Sequence, residues 1–149
     1  NIWFAIMNIN QIIKILKKTE SFGTQTDSFL NTLAFTSEKK AYSTGDLIIK
    51  SGEKSVKCLV ILEGKAFIQK KTSPIELKAG SVVGLLSLIN NTYPKDAVIA
   101  GTKGLALLIN RELFEKLLHE FPDFNKNLKS KIISDLNNKV GGLQATLSQ

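Results

Sequence analysis

The stretch from Ser37 to Asn110 places the tightest constraint on how this 149-residue chain can fold. Its short apolar segments are rich in Val, Ile, Leu and Phe, and glycine-containing turns separate them. Many short strands at this spacing favour an antiparallel sandwich or roll over β-α-β units. The predicted strands are Lys39–Tyr42, Leu47–Lys50, Cys58–Leu62, Ala66–Gln69, Ile75–Leu77, Ala97–Ala100 and Leu105–Ile109.

Four turn signals separate these strands: Ser43–Asp46, Ser51–Glu53, Glu63-Gly64 and Ala79-Gly80. Each contains a glycine, the residue that best tolerates a positive φ or a close approach of two backbones. A tight antiparallel roll requires such positions at its corners.

The first nineteen residues carry helical periodicity, with apolar residues at intervals of four and three. We expect this helix to pack on the domain or on a partner, with a helix on a membrane surface as the alternative. The apolar run Ile2–Met7 is too short to span a bilayer and lacks the charged start of a signal peptide. The periodic residues are Ile2, Ile6, Ile9, Ile13 and Leu16.

Helical periodicity returns after Asn110. Arg111–His119 predicts one helix, and Pro122 suits the first turn of a longer one. An a/d seam in the longer helix predicts a homodimer through this element. Gly141-Gly142 either weakens the helix from within or ends it at Gly141, beyond which the tail frays. The seam consists of Ile133, Leu136, Val140, Leu143 and Leu147.

These patterns predict a mainly β protein with flanking α-helices. Residues 1–36 form an N-terminal helical segment, residues 37–110 an antiparallel β-roll or jelly roll, and residues 111–149 the C-terminal helices. A chain of this length suits one compact domain with a sizeable core.

The net charge of +7 invites a nucleic-acid interpretation, but the basic residues argue against it. Arg111 is the only arginine, although Arg is the residue that binds phosphate and guanine bidentately. The lysines are scattered and form no long basic run. We therefore interpret the charge as a solvated lysine-rich surface, with a nucleic-acid face as the alternative.

The single cysteine and the single histidine exclude several kinds of site. One cysteine allows neither a disulfide framework nor a cysteine-based zinc site, and it indicates a reducing, cytoplasmic compartment. We expect Cys58 to be a small buried hydrophobe, with a redox-sensing thiol as the alternative. His119 is expected to cap a helix or face solvent. No metal site, catalytic set or P-loop sequence is apparent, so we predict no enzyme and rank a cupin-like metalloenzyme low.

Five segments, in order and at the right separations, resemble the cyclic nucleotide-binding domain family. Its best-known bacterial members are transcription regulators of the catabolite-activator and oxygen-sensing type. The resemblance runs from about Ile12 to Leu136. The segments that carry it are Gly45–Glu53, Leu59–Ile68, Leu77–Leu88, Arg111–Phe114 and Phe121-Pro122.

The resemblance implies a ligand site inside the roll, against a short helix and loop called the phosphate-binding cassette. Here the cassette corresponds to Gly84–Val98, which includes the polar loop Asn90–Pro94. A helix N-terminus suits a cyclic phosphate, and Gly84 would let the backbone come close. The alternative interpretation of the loop Asn90–Pro94 is an ordinary surface loop that binds no ligand. The candidate ligand-binding residues are Gly84, Leu85, Leu86, Ser87, Lys95, Asp96 and Ala97.

Two family anchors differ in this sequence, so the cassette is degenerate. The family places a Glu directly after the glycine for the ribose hydroxyl, where this chain has Leu85. It places an Arg late in the loop for the phosphate, where this chain has Lys95 followed by Asp96. Two lost charged hydrogen bonds amount to about 3–6 kcal/mol, a weakening of roughly a hundred- to ten-thousand-fold. Leu85 would also make the pocket wall more hydrophobic.

The resulting prediction is a regulatory ligand-sensing module with weak or lost cAMP binding. A cyclic nucleotide is the expected ligand, and another small anion or an apolar ligand stays open. The alternative is a ligand-free structural or dimerisation domain that mediates protein–protein contacts. The family's transcription regulators carry a helix-turn-helix after the long helix. The residues after Leu136 are too few for one, so we do not expect this chain alone to bind operator DNA.

Overall fold

The structure, a computed structural model, describes residues 7–140, with side chains up to residue 134. It contains five helices and eight strands within that range. The helices are α1 (Ile9–Leu16), α2 (Asp27–Thr36), α3 (Leu85–Asn90), α4 (Arg111–Glu120) and α5 (Pro122–Val140). The strands are β1 (Glu38–Tyr42), β2 (Leu47–Ile49), β3 (Lys57–Glu63), β4 (Ala66–Ile68), β5 (Ile75–Leu77), β6 (Val82–Val83), β7 (Val98–Ala100) and β8 (Gly104–Asn110).

The strands form two four-stranded antiparallel sheets, in the orders β1-β8-β3-β6 and β2-β7-β4-β5. The predicted mainly β roll with flanking helices is confirmed, and each predicted strand is present to within a residue or two at its ends. Strand β6 was missed. Its two residues pair with Leu59 and Val60 of β3, and a segment that short carries no alternation to detect.

Strand β3 separates two hydrophobic cores. Its residues from Cys58 to Leu62 are all buried, and successive side chains point to opposite faces of the sheet. Leu59 and Ile61 pack between the two sheets, together with Ile68, Val98 and other residues. Cys58, Val60 and Leu62 belong to the second core, which the helices cover.

Aromatic packing joins the N-terminal and C-terminal helices over the second core. The ring centroid of Phe29, on α2, lies 4.5 Å from that of Phe124 on α5 and 5.2 Å from that of Phe121. Phe22 lies 6.1 Å from Phe124 by the same measure. Aromatic pairs in this range contribute beyond the apolar area that they bury. The helices before and after the roll therefore form one layer.

The N-terminal helix is shorter than predicted. A capping box between Asn8 and Gln11 starts α1 at Ile9, and the helix ends at Leu16. Ile12 and Leu16 are buried against the domain. Residues 1–6, including Ile2 and Ile6, lie outside the described residues.

Helix α2 had no separate prediction. The side chain of Thr26 caps it by accepting a hydrogen bond from the Phe29 amide at 3.2 Å. Its buried residues Phe29, Leu30, Leu33 and Ala34 have the spacing of one helical face. None of the helices between residues 7 and 140 is both long and apolar enough to cross a membrane.

Both predicted C-terminal helices are confirmed. The side chain of Asn110 caps α4 by accepting a hydrogen bond from the Leu113 amide at 2.8 Å, and Pro122 opens α5. Ile133, the first residue of the predicted seam, is 60% exposed. The side chains of Leu136 and Val140 lie outside the description, as do Gly141, Gly142, Leu143 and Leu147.

The turn glycines adopt positive φ as predicted. Gly64, between β3 and β4, has φ +81°, and a Cβ at this position would lie 2.4 Å from the carbonyl oxygen of Lys103. The backbone conformation and the lack of space therefore both require glycine at this turn.

Candidate functional site

A cavity of about 290 Å³ lies inside the roll, between α3, the loop that leads to β7, and the inner faces of the strands. We call it the roll cavity. Its apolar lining residues are Ile49, Val56, Ile68, Val83, Leu86, Pro94 and Val98. The remaining residues that line it are Lys57, Gly84, Ser87, Asn90, Thr92, Tyr93, Lys95 and Asp96.

Gly84 sets the position of α3 against the sheet. It is the N-cap of the helix with φ +93°, and no side chain caps this end. A Cβ on Gly84 would lie 2.5 Å from the carbonyl oxygen of Lys57. Only glycine allows α3 to begin this close to the start of β3. At the other end of the six-residue helix, Asn91 takes φ +54° and terminates it.

The faces of α3 decide which residues reach the cavity. Because a helix turns about 100° per residue, Leu85 and Leu88 share one face. Both are buried in the core that the helices cover, with 5% and 2% of their surface exposed. Leu86, Ser87 and Asn90 lie on the cavity side.

This arrangement corrects the expectation for Leu85. Its side chain was expected to make the pocket wall more hydrophobic, but it is not among the residues that line the roll cavity. The residue that does so is its neighbour Leu86. Ala97 does not line the cavity either, and its carbonyl accepts a hydrogen bond from the Gln69 amide at 2.9 Å.

Five predicted site residues do come together around the cavity: Gly84, Leu86, Ser87, Lys95 and Asp96. Four apolar lining residues were missed, namely Ile49, Val56, Ile68 and Val83. They come from β2, the loop before β3, β4 and β6. Period-2 alternation could mark Ile49 and Ile68 as inward-facing, but only the strand pairing places them opposite α3.

The β2–β3 turn holds the loop that closes the cavity. The hydroxyl of Ser51 donates a hydrogen bond to the carbonyl of Lys95 at 2.7 Å. The amide of Gly52 donates to the carbonyl of Pro94 at 2.8 Å. These bonds fix the backbone of the two residues that precede Asp96.

Three charged residues line the cavity. Lys95 is exposed, and Asp96 is half-buried in an ion pair with Lys70, with 2.6 Å between Nζ and Oδ2. Lys57 lies 3.7 Å from Glu38, measured between Nζ and Oε1. The net charge of the cavity wall near Asp96 therefore depends on Lys95, Asp96 and Lys70 together.

Cys58 and His119 lie away from this chemistry. Cys58 is fully buried, and its burial raises the pKa of the thiol to about 12. Such a thiol stays protonated and unreactive near neutral pH. The prediction that Cys58 is a small buried hydrophobe is therefore confirmed, and the alternative of a redox-sensing thiol is not supported. His119 is exposed in the last turn of α4. The described residues contain no group of three or more His, Cys, Asp or Glu that could hold a metal ion.

Comparison with known proteins identifies the class to which this fold and cavity belong. The family model of the cyclic nucleotide-binding domain matches residues 39–121. The matched segment covers more than half of the chain and includes the whole of the roll cavity. The chain belongs to the cyclic nucleotide-binding domain family.

Two known proteins are similar to this chain. A cGMP-dependent protein kinase of Plasmodium berghei (strain Anka) is 29% identical over 96 residues, which is 64% of this chain. The match covers 11% of the kinase, so the chain spans a small part of that relative. A solved structure described as Sp-2Cl-cAMPS bound to PKAR CBD2 covers 98% of this chain and 95% of its own, with a TM-score of 0.63. At 22% identity, this likeness concerns the fold.

The opposite orientations of Leu85 and Leu86 give a testable difference in stability. Leu85→Ala removes a side chain from a closed core, and we expect the free energy of unfolding to fall by about 2–5 kcal/mol. Leu86→Ala enlarges an existing cavity, and we expect a loss of about 1 kcal/mol or less. Urea denaturation of both variants measures the difference. A larger loss for Leu86→Ala than for Leu85→Ala would contradict the helix orientation.

Proposed function

We propose that the domain is a regulatory ligand-sensing module whose roll cavity binds a cyclic nucleotide with low affinity. The observation that carries this proposal is the cavity itself, whose lining surface is mostly apolar and also includes hydroxyl, amide and charged side chains. Small-molecule sites have this composition. Its volume of about 290 Å³ lies near the lower limit of such sites, so it suits one small ligand.

Each part of a cyclic nucleotide has a matching surface in the cavity. We expect the apolar wall formed by Ile49, Ile68 and Val98 to cover the base and sugar. The exposed ammonium of Lys95 would attract the phosphate. Ser87 and Thr92 offer hydroxyl groups to ribose oxygens.

Two features of the cavity support low affinity. No carboxylate follows Gly84, and Leu85 is directed into the core. Lys95 offers a point charge in place of the planar, bidentate fork of an arginine. With about 3–6 kcal/mol missing from two anchors, a micromolar site becomes roughly millimolar.

Thermal unfolding with cAMP and cGMP at millimolar concentrations tests the proposal. A ligand at about ten times its dissociation constant stabilises by about 1.4 kcal/mol, which raises the melting temperature by about 3–6 °C. We expect Lys95→Ala to lose most of this shift, because it removes the cation beside the phosphate. Lys78→Ala, an exposed lysine outside the cavity, should retain it. A melting temperature that no cyclic nucleotide changes would contradict the proposal.

The second candidate function is a ligand-free domain that mediates dimerisation, and Ile133 favours it. This large apolar side chain is 60% exposed on α5, whereas Phe124 and Leu128 on the same helix are buried in the core. Ile133 occupies a predicted seam position, and a homodimer formed through this helix would bury its exposed side chain. Neither candidate function requires catalysis, and both suit the cytoplasmic location that the single cysteine predicts.

Sedimentation equilibrium of the full chain tests the dimer. We expect a dimer for the wild type and a shift towards monomer for Ile133→Lys, since the substitution places a charge in the interface. Asn127→Lys adds the same charge at an exposed position about 120° around α5 from Ile133 and serves as the control. A monomeric wild type, or an Ile133→Lys variant that dimerises as well as wild type, would rule out this interface.

A further inference from the structure

We infer that Lys70 is a positioning residue of the ligand site: it holds and neutralises Asp96, so that the adjacent end of the roll cavity accepts an anionic group. This inference rests on the proposed function. It addresses the feature that argues most strongly against an anionic ligand, namely the carboxylate of Asp96 on the cavity wall.

The strand register brings Lys70 and Asp96 together, although they are 26 residues apart in the sequence. Strands β4 and β7 pair antiparallel, and the last pair is Ile68 with Val98. The hydrogen bond from the Gln69 amide to the Ala97 carbonyl continues this ladder by one residue. Lys70 and Asp96 are the next residues along, and they face each other across the two strands.

The same register places Asp96 on the cavity wall and Lys70 beside it, next to the lining residues. Successive side chains alternate between the faces of a sheet, so Lys70 lies on the face of Ile68, and Asp96 lies on the face of Val98. Ile68, Val98 and Asp96 all line the cavity. The pair therefore forms just beyond the paired ends of β4 and β7, beside the cavity wall.

The ion pair is close, with 2.6 Å between Nζ and Oδ2, and the two side chains are 31% and 32% exposed. Ion pairs with this much contact with solvent contribute little to folding stability. Their charge nevertheless acts on a group bound beside them, because the neighbouring cavity is largely apolar. The pair thus has a stronger effect on ligand affinity than on the fold.

The charges around this end of the cavity show what Lys70 changes. Asp96 without a partner would oppose the attraction of Lys95 for an anionic ligand. Lys57, the other lysine that lines the cavity, is already close to Glu38. Lys70 cancels the Asp96 charge and leaves that of Lys95 in effect. A unit charge about 10 Å from a bound anion changes the affinity about tenfold at an effective dielectric constant of about 20.

A double-mutant cycle with cAMP as the probe tests this role, and the affinity is obtained from thermal-shift titrations of the full chain. We expect Lys70→Met to weaken binding about tenfold, because it exposes the ligand to the Asp96 charge. Lys70→Arg should retain wild-type affinity, since it keeps the cation. In the Asp96→Asn background, Lys70→Met should change the affinity less than twofold.

Two controls separate this role from a structural one. Lys71→Met removes the neighbouring lysine, which is exposed and does not line the cavity, and should leave the affinity unchanged. The melting temperature without ligand should stay within about 4 °C of wild type for every variant. A loss of affinity that only Lys70→Met shows, and that Asp96→Asn relieves, cannot come from general destabilisation.

The outcomes distinguish this inference from the function on which it rests. Wild-type affinity in Lys70→Met overturns the role of Lys70 alone. An equal loss from Lys70→Met with and without Asp96→Asn also overturns it, because Lys70 would then act on the ligand directly. If the wild type and Asp96→Asn both bind no cyclic nucleotide, the proposed function fails and this inference fails with it.

Discussion

The burial of β3 on both faces is the constraint on which the rest of the structure depends. Residues from Cys58 to Leu62 supply side chains alternately to the core between the sheets and to the core under the helices. Because the start of this strand meets Gly84, the same element also fixes where α3 begins. The position of the roll cavity therefore follows from the packing of one strand. A fully buried thiol with a pKa of about 12 is a consequence of that packing.

The sequence predicted the parts of the fold that local patterns determine. Apolar segments and glycine turns located seven of the eight strands, and Pro122 marked the start of the long helix. Strand β6 has only two residues, so it shows no alternation in the sequence. It is a strand because it pairs with β3. The start of α1 depends on the capping box at Asn8, whereas periodicity alone continued the helix to the first residues of the chain.

The candidate site was less predictable, because its geometry depends on helix faces and on strand register. The family resemblance located the segment Gly84–Val98, and five of the seven candidate residues line the cavity. It could not show that Leu85 is directed into the helix-covered core, since that depends on how α3 packs. The sequence also could not predict the ion-pair partner of Asp96, because only the register between β4 and β7 places Lys70 opposite it.

The proposed entry of a cyclic nucleotide into the roll cavity is tested most directly by a cAMP titration of isotope-labelled protein. The backbone amide chemical shifts report which residues the ligand affects. We expect saturable shifts at Gly84, Leu86 and Ser87, at the start of α3, and at Lys95 and Asp96 in the loop. The amides around His119, in the last turn of α4 and outside the cavity lining, should change little. Shifts absent from the cavity residues at millimolar cAMP, or centred on the C-terminal helices, would contradict the account.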